Sequence, residues 1–428
     1  MARSCPGRAS RARPTPPGRG VGTHAIPRST PVTDTTDPRG NDSPVAAPSG
    51  ARVHLDNGGG APLHPLARQA LLQALDDGWA DPHRLHTEGR RAARLLDGAR
   101  EAVATVLGAR TEEVRFTPSH AAALRDALAG TARARRRAGG DVVVGATERA
   151  AVLHAAEAAA RTHGGERAVV DVDHHGRVDA DAFADRVARR GVALAALQHA
   201  NGEVGTRQPL AAVHDAARAA GVPLLVDAGA SLGHDVVPDA WDLLAAHPAD
   251  WGGPAGVGVL AVRQRVRAVP PEPEDADPWA PGGVSVPVAF AAAVALQATV
   301  ADRAAEDARR RRLTDRVRSA VAALPDVEVV GAPDDRLPHV VTFSCLYVDG
   351  EALVTELDRA GFAVGSGSAC TASTLEPSHV LAAMGVLTHG NVRIALDRST
   401  TEDDVDRFLA VLPDAVRRVR DVLGVAGL

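Results

Sequence analysis

Hydrophobic residues follow two alternating patterns from about residue 54 onward. Alanine-rich stretches of helical periodicity are separated by short β-branched and aliphatic runs. The runs predict strands at residues 141–146, 168–172, 193–198, 223–227 and 257–262. Such alternation is typical of a mainly parallel sheet that helices cover on both faces. Ligands bind these sheets beyond the carboxyl ends of the strands, and Asn201 and Asp227 lie at two of those ends.

A second α/β pattern follows a break in this periodicity. Residues 270–281 are rich in Pro, Glu and Asp, which predicts a linker or a surface loop. The elements predicted after it are helices at 288–303 and 312–324, strands near 339–348 and 392–396, and helices at 351–360, 378–384 and 402–422.

Four segments make up the predicted domain organisation. Residues 1–50 are rich in Pro, Arg, Ser, Thr and Gly without apolar periodicity, so we expect a disordered tail. The prolines of this tail disfavour the amphipathic helix of a transit peptide. We expect a large domain at residues 51–265, a linker or loop at 266–287, and a connecting helix with a smaller C-terminal α/β domain at 288–428.

Composition excludes several classes of function. The net charge of −5, the pI of about 6.4 and the 3% of aromatic residues argue against a nucleic-acid partner. No apolar run approaches the roughly 20 residues of a membrane span. Cys5, Cys345 and Cys370 are the three cysteines, and so sparse and odd a number favours a reducing, cytoplasmic location.

All 48 Lys and Arg positions are arginine, so the chain contains no lysine. Arginine stays protonated and cannot act as an amine nucleophile. The run at residues 309–312 is predicted to be a solvated helix face, and not a nucleic-acid site. His174 and His175 lie in a predicted exposed turn without further spaced ligands, so no metal site is expected.

Six segments in a fixed order carry the strongest functional signal. They are HLDNGGGAPLHP from His54, LHTEGRRAARLLDGAREAVATVLGA from Leu85, HANGEVGTRQP from His199, LLVDAGASLG from Leu224, WGGPAGVGVLAVR from Trp251 and GFAVGSGSACTASTLEPSHVLAAMG from Gly361. Together they resemble the cysteine desulfurase family of class V aminotransferases, which use pyridoxal phosphate (PLP). The resemblance covers most of the chain and implies the PLP fold type I architecture and a homodimer.

The resemblance also implies roles for individual residues. Asp227 would pair with the pyridine nitrogen of the cofactor, although a helix N-cap is the alternative. Asn201 would bind the ring hydroxyl or the substrate, unless it serves only a turn. Arg393 would hold a substrate carboxylate, unless it is a surface arginine. The other implied residues are Ser231 and His247 for the cofactor and Asn57 for the substrate.

Two cysteines have contrasting surroundings. Cys370 lies in a Gly/Ser-rich loop at residues 365–372, and the resemblance implies that it takes sulfur from L-cysteine as a persulfide and leaves alanine. Such a thiol must reach both the substrate and a sulfur-acceptor protein. A purely structural cysteine is the alternative. Cys345, in the apolar run VVTFSCLYV, is predicted to be a core residue.

The chain departs from the family pattern around the cofactor. The lysine that forms the family's imine maps to Asp250, and a carboxylate cannot form an imine. His120 and Ala121 replace the Gly-Thr pair of the phosphate-binding turn. The ring-stacking histidine maps to Arg149. Three further cofactor contacts, a glutamine, a serine and a threonine, map to Ala230, His247 and Gly283.

Three functions remain open at this stage. The first is the family reaction, PLP-dependent sulfur transfer from L-cysteine, which the retained Asp227, Arg393 and Cys370 favour. The second is a non-catalytic homologue that acts as a partner subunit, a regulator or a sulfur-relay platform, which the missing lysine favours. The third is altered chemistry at His247 or Asp250. Any PLP would bind without a covalent bond, and weakly at best.

Overall fold

A computed structural model of the protein describes residues 51–366, 377–422 and 424. The strands are β1 (Val53–His54), β2 (Val114–Thr117), β3 (Gly139–Gly145), β4 (Arg167–Val170), β5 (Gly191–Gln198), β6 (Leu224–Asp227), β7 (Leu243–Ala246), β8 (Gly258–Val262), β9 (Val327–Val330), β10 (Val340–Cys345), β11 (Phe362–Ala363) and β12 (Asn391–Ala395). The helices are α1 (Pro65–Asp77), α2 (Thr87–Leu107), α3 (His120–Arg135), α4 (Ala150–Thr162), α5 (Ala180–Val187), α6 (Leu210–Ala219), α7 (Val286–Ala301), α8 (Arg303–Ala322), α9 (Gly350–Arg359), α10 (His379–Met384) and α11 (Glu402–Val422).

Seven strands form one large sheet in the order β2-β8-β7-β6-β5-β3-β4. The pairs from β4 to β7 are all parallel, and β8 runs antiparallel to both β7 and β2. Strands β5 and β6 are buried along almost their whole length. Their continuous apolar sequences suit a sheet with both faces covered. The predicted α/β fold with a mainly parallel sheet is therefore confirmed.

Helices pack on both faces of this sheet. Side chains of α3 and α4 form one apolar core with the strands. Side chains of α1, α2, α5, α6 and α7 form a second core on the other face. The helices and strands thus place the carboxyl ends of β5, β6 and β7 at one edge of the sheet, where loops approach from several elements.

The C-terminal part has its own antiparallel sheet, in the order β12-β10-β9, and a separate core with α8, α9 and α11. The short strand β1 pairs in parallel with β11, so the chain that enters at Val53 lies against this part. An isolated bridge between Asp56 and Ala395 continues the contact. As a result, the arm at residues 55–60 passes directly beside Arg393 on β12.

The structure corrects the sequence predictions for the long helices. We predicted a gap between residues 303 and 312, but only Asp302 separates α7 from α8. The predicted solvated face at residues 309–312 is wrong for Arg310, which is only 5% exposed. Its guanidinium contacts His234 and Glu306. The local sequence pattern could not predict this burial, because His234 is far away in the sequence.

One helical stretch passes a length and composition test for a membrane span, namely Val286–Ala322. Its first half, α7, carries many alanines buried in the large core, including Ala289, Ala292 and Ala293. This burial is that of a helix in the core of the large domain. The predicted tail at residues 1–50, Cys5 and Cys370 lie outside the described residues.

Candidate functional site

The predicted site residues meet at the carboxyl edge of the large sheet. Asp227 is the last residue of β6, and its backbone is in register with Gln198 at the end of β5 and Ala245 near the end of β7. Asn201 follows β5, and His247 follows β7. Because these three strands are parallel neighbours, their ends bring the three side chains into one region.

Asp227 is 4% exposed and pairs with groups of its own chain. The Nε–H of Arg149 donates to Oδ2 across 2.7 Å, and the backbone N–H of Gly229 donates to Oδ1 across 2.8 Å. Nε2 of His120 lies 3.0 Å from Oδ1, close enough for an ion pair but poorly aligned for a hydrogen bond. Burial alone would raise the pKa of Asp227, but Arg149, His120 and the Gly229 N–H together hold it below its ordinary value.

The imidazole rings of His120 and His247 lie between Asp227 and Asp250, the position of the lost lysine. The rings of His120 and His247 stack with their centroids 5.5 Å apart. Nδ1 of His247 lies 3.2 Å from Oδ1 of Asp250. Burial lowers the pKa of His120, against the attraction of Asp227. The two imidazole rings therefore lie between the carboxyl groups of Asp227 and Asp250.

Asp250 is held in a short 3₁₀ helix, Pro248–Trp251, directly after the strand that ends at Ala246. The residue is 7% exposed, and its backbone carbonyl oxygen lies 2.6 Å from Nε2 of His234. The residue lines a cavity of about 240 Å³. A carboxylate thus occupies the position where the resemblance places the cofactor lysine.

That cavity joins the large sheet to the C-terminal part. Six predicted or implied positions line it together, namely Asn57, Arg149, Asn201, Ala230, Asp250 and Arg393. Ser231 and His247 are not among its lining residues. Ser231 is fully buried, and its hydroxyl lies 3.4 Å from the Ala228 carbonyl oxygen, so the structure does not bring it to the cavity.

Arg393 and the arm at residues 55–60 form one side of the cavity. NH2 of Arg393 donates to Oδ1 of Asp56 across 2.8 Å and to the carbonyl oxygen of Gly58 across 2.9 Å. The side chain is largely buried, so the surface-arginine alternative does not hold. Asn57 donates from Nδ2 to the Ala395 carbonyl oxygen, while its Oδ1 has no protein partner within the described residues.

Asn201 uses its amide group to fix a turn. Oδ1 accepts from the backbone N–H groups of Glu203 and Val204, and Nδ2 donates to the Thr147 carbonyl oxygen. These bonds support the turn alternative that the sequence left open. The residue still contacts the cavity, so its predicted role toward a ligand stays a prediction.

Two buried carboxyl groups beside the cavity were not singled out from the sequence. Burial raises the pKa of Glu148 well above its usual range, although Oε1 accepts the Gln198 backbone N–H across 2.8 Å. Burial likewise raises the pKa of Glu203, whose Oε1 accepts the Ser378 hydroxyl proton across 2.7 Å. The only local signal was the position of Glu148 immediately before Arg149. Burial therefore favours the uncharged form of both carboxyl groups.

A second cavity of about 210 Å³ lies next to the first, and Asn57, Asp250 and His339 line both. His234 and His339 line the second cavity, with their rings tilted by 41° and their centroids 4.2 Å apart. NH1 of Arg310 lies 2.9 Å from Nδ1 of His234. Neither cavity was predicted, because their walls come from segments far apart in the sequence. No group of three metal-ligating side chains comes together within the part of the chain that the structure describes.

The fold and the residues at the sheet edge define a class V aminotransferase. The sequence matches that family over residues 53–288 and 282–408, so the chain belongs to it. It is 33% identical to cysteine desulfurase IscS 1 of Archaeoglobus fulgidus over 86% of this chain and 98% of that protein. It is 35% identical to a cysteine desulfurase of Cereibacter sphaeroides over 86% of this chain and 97% of that protein.

Solved structures show the same fold. A NifS-like protein superposes with a TM-score of 0.78 at 24% identity, covering 87% of this chain and 99% of that one. The apo structure of cysteine desulfurase from Thermococcus onnurineus NA1 gives a TM-score of 0.74 at 21% identity, covering 86% and 95%. The predicted recognition as a cysteine desulfurase-like protein of PLP fold type I is confirmed. PLP is accordingly the cofactor that the family implies for this chain.

The residues of this chain do not fit PLP in the way that the family holds it. Asp250 cannot bond covalently to an aldehyde carbon as a lysine does. Arg149 already pairs with the carboxylate that would receive the pyridine nitrogen. At the start of α3, the hydroxyl of Ser119 already accepts the Ala122 N–H that would face a phosphate. No step of a reaction can therefore be derived through the cofactor at this site.

Cys345 on β10 is a core residue, as predicted. It is fully buried beside the apolar side chains of the C-terminal core. Burial raises the pKa of its thiol to about 12, against the weaker attraction of Arg420. This thiol therefore has neither the access nor the ionisation that sulfur chemistry requires.

Proposed function

We propose that this cysteine desulfurase-like protein is a non-catalytic homologue that acts as a partner subunit, a regulator or a sulfur-relay platform. The observation that carries the proposal is Asp250, which lines the central cavity and stands at the lysine position in a chain without any lysine. PLP would be held without a covalent bond, and weakly at best. The family reaction also needs an amine that moves protons after the cofactor bond is exchanged, and no residue here supplies one.

The direct test adds PLP to the purified full-length protein, reduces with borohydride and measures the intact mass. We expect no pyridoxyl group on any side chain, no visible absorbance band of a protein-bound imine and no alanine released from L-cysteine. The N-terminal amine is the other primary amine and is checked by peptide mapping. Alanine production at a rate above that of free PLP would contradict the proposal.

A relay of sulfur through Cys370 is one way in which such a protein could serve a partner. Its support is the sequence loop at residues 365–372 and the position of the cavity, since Ser378 and His379 just beyond that loop line the cavity. Incubation with a persulfide donor should add one sulfur to the protein, and Cys370→Ser should abolish it. If the mass of the wild type does not change, the relay is ruled out, and a scaffold that transfers no sulfur is the function that is left.

We also propose a cytoplasmic homodimer. Helix α1 and the residues after it expose Leu66, Leu72, Leu75 and Trp79, and Leu72 and Leu75, which are three residues apart, lie on one side of the helix. Leu75 and Trp79 also line a cleft of about 670 Å³ together with Gly283. Large apolar side chains that are exposed close together indicate a surface that binds another protein. A second copy of this chain is the partner that the family resemblance implies.

A further inference from the structure

The best-defined feature of the site is the pairing of Arg149 with Asp227. Arg149 is the N-cap residue of α4, and its backbone is placed by its neighbour Glu148, which is fully buried. Oε1 of Glu148 accepts the Gln198 N–H, and the Glu148 carbonyl oxygen lies 2.8 Å from Nε2 of His379. These hydrogen bonds fix the backbone immediately before Arg149, and the side chain of Arg149 extends from there to the carboxylate of Asp227.

The carboxylate of Asp227 has donors on both oxygens. Arg149 covers Oδ2, while Gly229 and His120 approach Oδ1. The side chains approach Gly229 closely, because a Cβ there would lie 2.5 Å from Cε1 of His120 and 2.9 Å from NH2 of Arg149. A cationic ring that paired with this carboxylate would have to displace the Arg149 guanidinium, which already forms a charge-assisted hydrogen bond with it.

We propose that Arg149 takes the place of the cofactor ring as the cationic partner of Asp227, so that this site rejects PLP even when a lysine is supplied. The inference is independent of the missing lysine, because it rests on the occupied carboxylate. Arg149 is on this view a specificity-determining residue. It excludes the family's cofactor and stabilises the buried charge that the family leaves for the cofactor to balance.

The test supplies the amine and then removes the arginine. Asp250→Lys is compared with Asp250→Lys/Arg149→His, which also restores the histidine that the family has at residue 149. Each purified protein is incubated with PLP, reduced with borohydride and mapped by peptide mass. We expect a pyridoxyl group at position 250 in the double variant, formed as amine and aldehyde lose one water and hydride reduces the bond. Asp250→Lys alone should need at least about tenfold more PLP for the same labelling.

Asp250→Lys/Arg161→His is the matched control, since Arg161 lies on the same helix but is mostly exposed, with only a 3.9 Å contact to Glu157. It should behave like Asp250→Lys. Equal labelling of Asp250→Lys and the Arg149 double variant would overturn the inference, as would no labelling of either. Neither result touches the proposed function, because the wild type has no lysine to label.

A second measurement needs no covalent bond and guards against misfolding. Arg149→Gln removes the charge that balances Asp227, and Arg149→His replaces the guanidinium with a shorter, titratable ring, so both should lower the thermal midpoint in the absence of PLP. Added PLP should raise the midpoint of these variants and leave the wild type unchanged. A wild type that PLP stabilises as much as it stabilises the variants would overturn the inference.

Discussion

Nε2 of His234 lies 2.6 Å from the backbone carbonyl oxygen of Asp250, so a buried imidazole holds the residue at the lysine position. Arg310 can only donate, and its NH1 lies 2.9 Å from Nδ1 of the same ring. Nδ1 must therefore accept, and Nε2 carries the proton that Asp250 receives. Burial, assisted by the charge of Arg310, lowers the pKa of His234 to about 4.

This neutral histidine makes the protein sensitive to acid. The folded pKa of about 4 lies below the ordinary 6.5, so the unfolded chain binds more protons between these values. The contribution of His234 is complete above pH 6.5 and is lost as the pH falls toward 4, a change of about 3 kcal/mol in the free energy of unfolding. Urea denaturation at a series of pH values measures it.

His234→Gln is the control for this prediction, since glutamine can still accept from Arg310 and donate to Asp250 but does not titrate. We expect its free energy of unfolding to fall less steeply between pH 6.5 and 4 than that of the wild type. His199 has a pKa lowered to about 4 mainly by burial and not through His234, so it contributes equally to both proteins. Identical slopes would show that His234 takes up its proton without opening the fold.

The sequence predicts the sheet edge well but not what its residues bind. Asp227 and Asn201 could be placed there because β5 and β6 are continuous apolar runs, and their ends follow from the chain alone. The partner of Asp227 could not, because Arg149 lies 78 residues away. Arg310 and His234 are similarly 76 residues apart. Such pairs depend on the packing of whole elements, and no local pattern reports them.

Short elements escaped prediction for a different reason. Strands β2, β7 and β9 have four residues each, and their periodicity does not separate a strand from a helical turn; β4 and β6 are as short, but they were predicted from five-residue runs at 168–172 and 223–227. The antiparallel pairing of β8 with β2 and β7 was missed with them. By contrast, α11 extends over Glu402–Val422 as predicted, since its 21 residues repeat an apolar face several times.

Two helical glycines should respond in opposite ways to alanine. Gly130 in α3 is buried, and a Cβ there would lie 2.3 Å from the carbonyl oxygen of Val269. Gly98 in α2 has no atom within 4 Å of that position. Gly98→Ala should raise the free energy of unfolding by about 0.5–1 kcal/mol, because alanine favours the helix. Gly130→Ala should lower it by about 1–3 kcal/mol, because the backbone must shift.

Chemical denaturation of the two variants and the wild type measures this difference. The substitutions are identical and both sites are inside helices, so helix propensity cancels between them. The remaining difference in stability comes from the close approach of Val269 to α3. A hydrogen bond of 3.0 Å from the Val269 N–H to the Gly130 carbonyl oxygen also fixes this approach. Stabilisation by both substitutions would mean that the segment around Val269 can move away at little cost.

The thiol of Cys345 should not react with thiol reagents in the native protein. In a variant with Cys5→Ser and Cys370→Ser, this thiol is the last one left. With its pKa raised to about 12 and its side chain buried, we expect no reaction with a thiol reagent at pH 8 and one label per chain in denaturant. Rapid labelling without denaturant would show that β10 opens locally.

The proposed dimer surface can be tested at Trp79, which is 69% exposed at the end of α1. An aromatic side chain at the centre of an interface often contributes more than about 2 kcal/mol, so Trp79→Asp should weaken dimerisation by at least about thirtyfold.

Val236 is similarly exposed, at 63%, but belongs to the turn after Asp235 and does not line the cleft of Leu75 and Trp79, so Val236→Asp serves as control. Light scattering at micromolar concentration should report a dimer for the wild type and the control, and a monomer for Trp79→Asp. A monomeric wild type would refute the dimer, whereas a dimeric Trp79→Asp would place its interface elsewhere on the molecule.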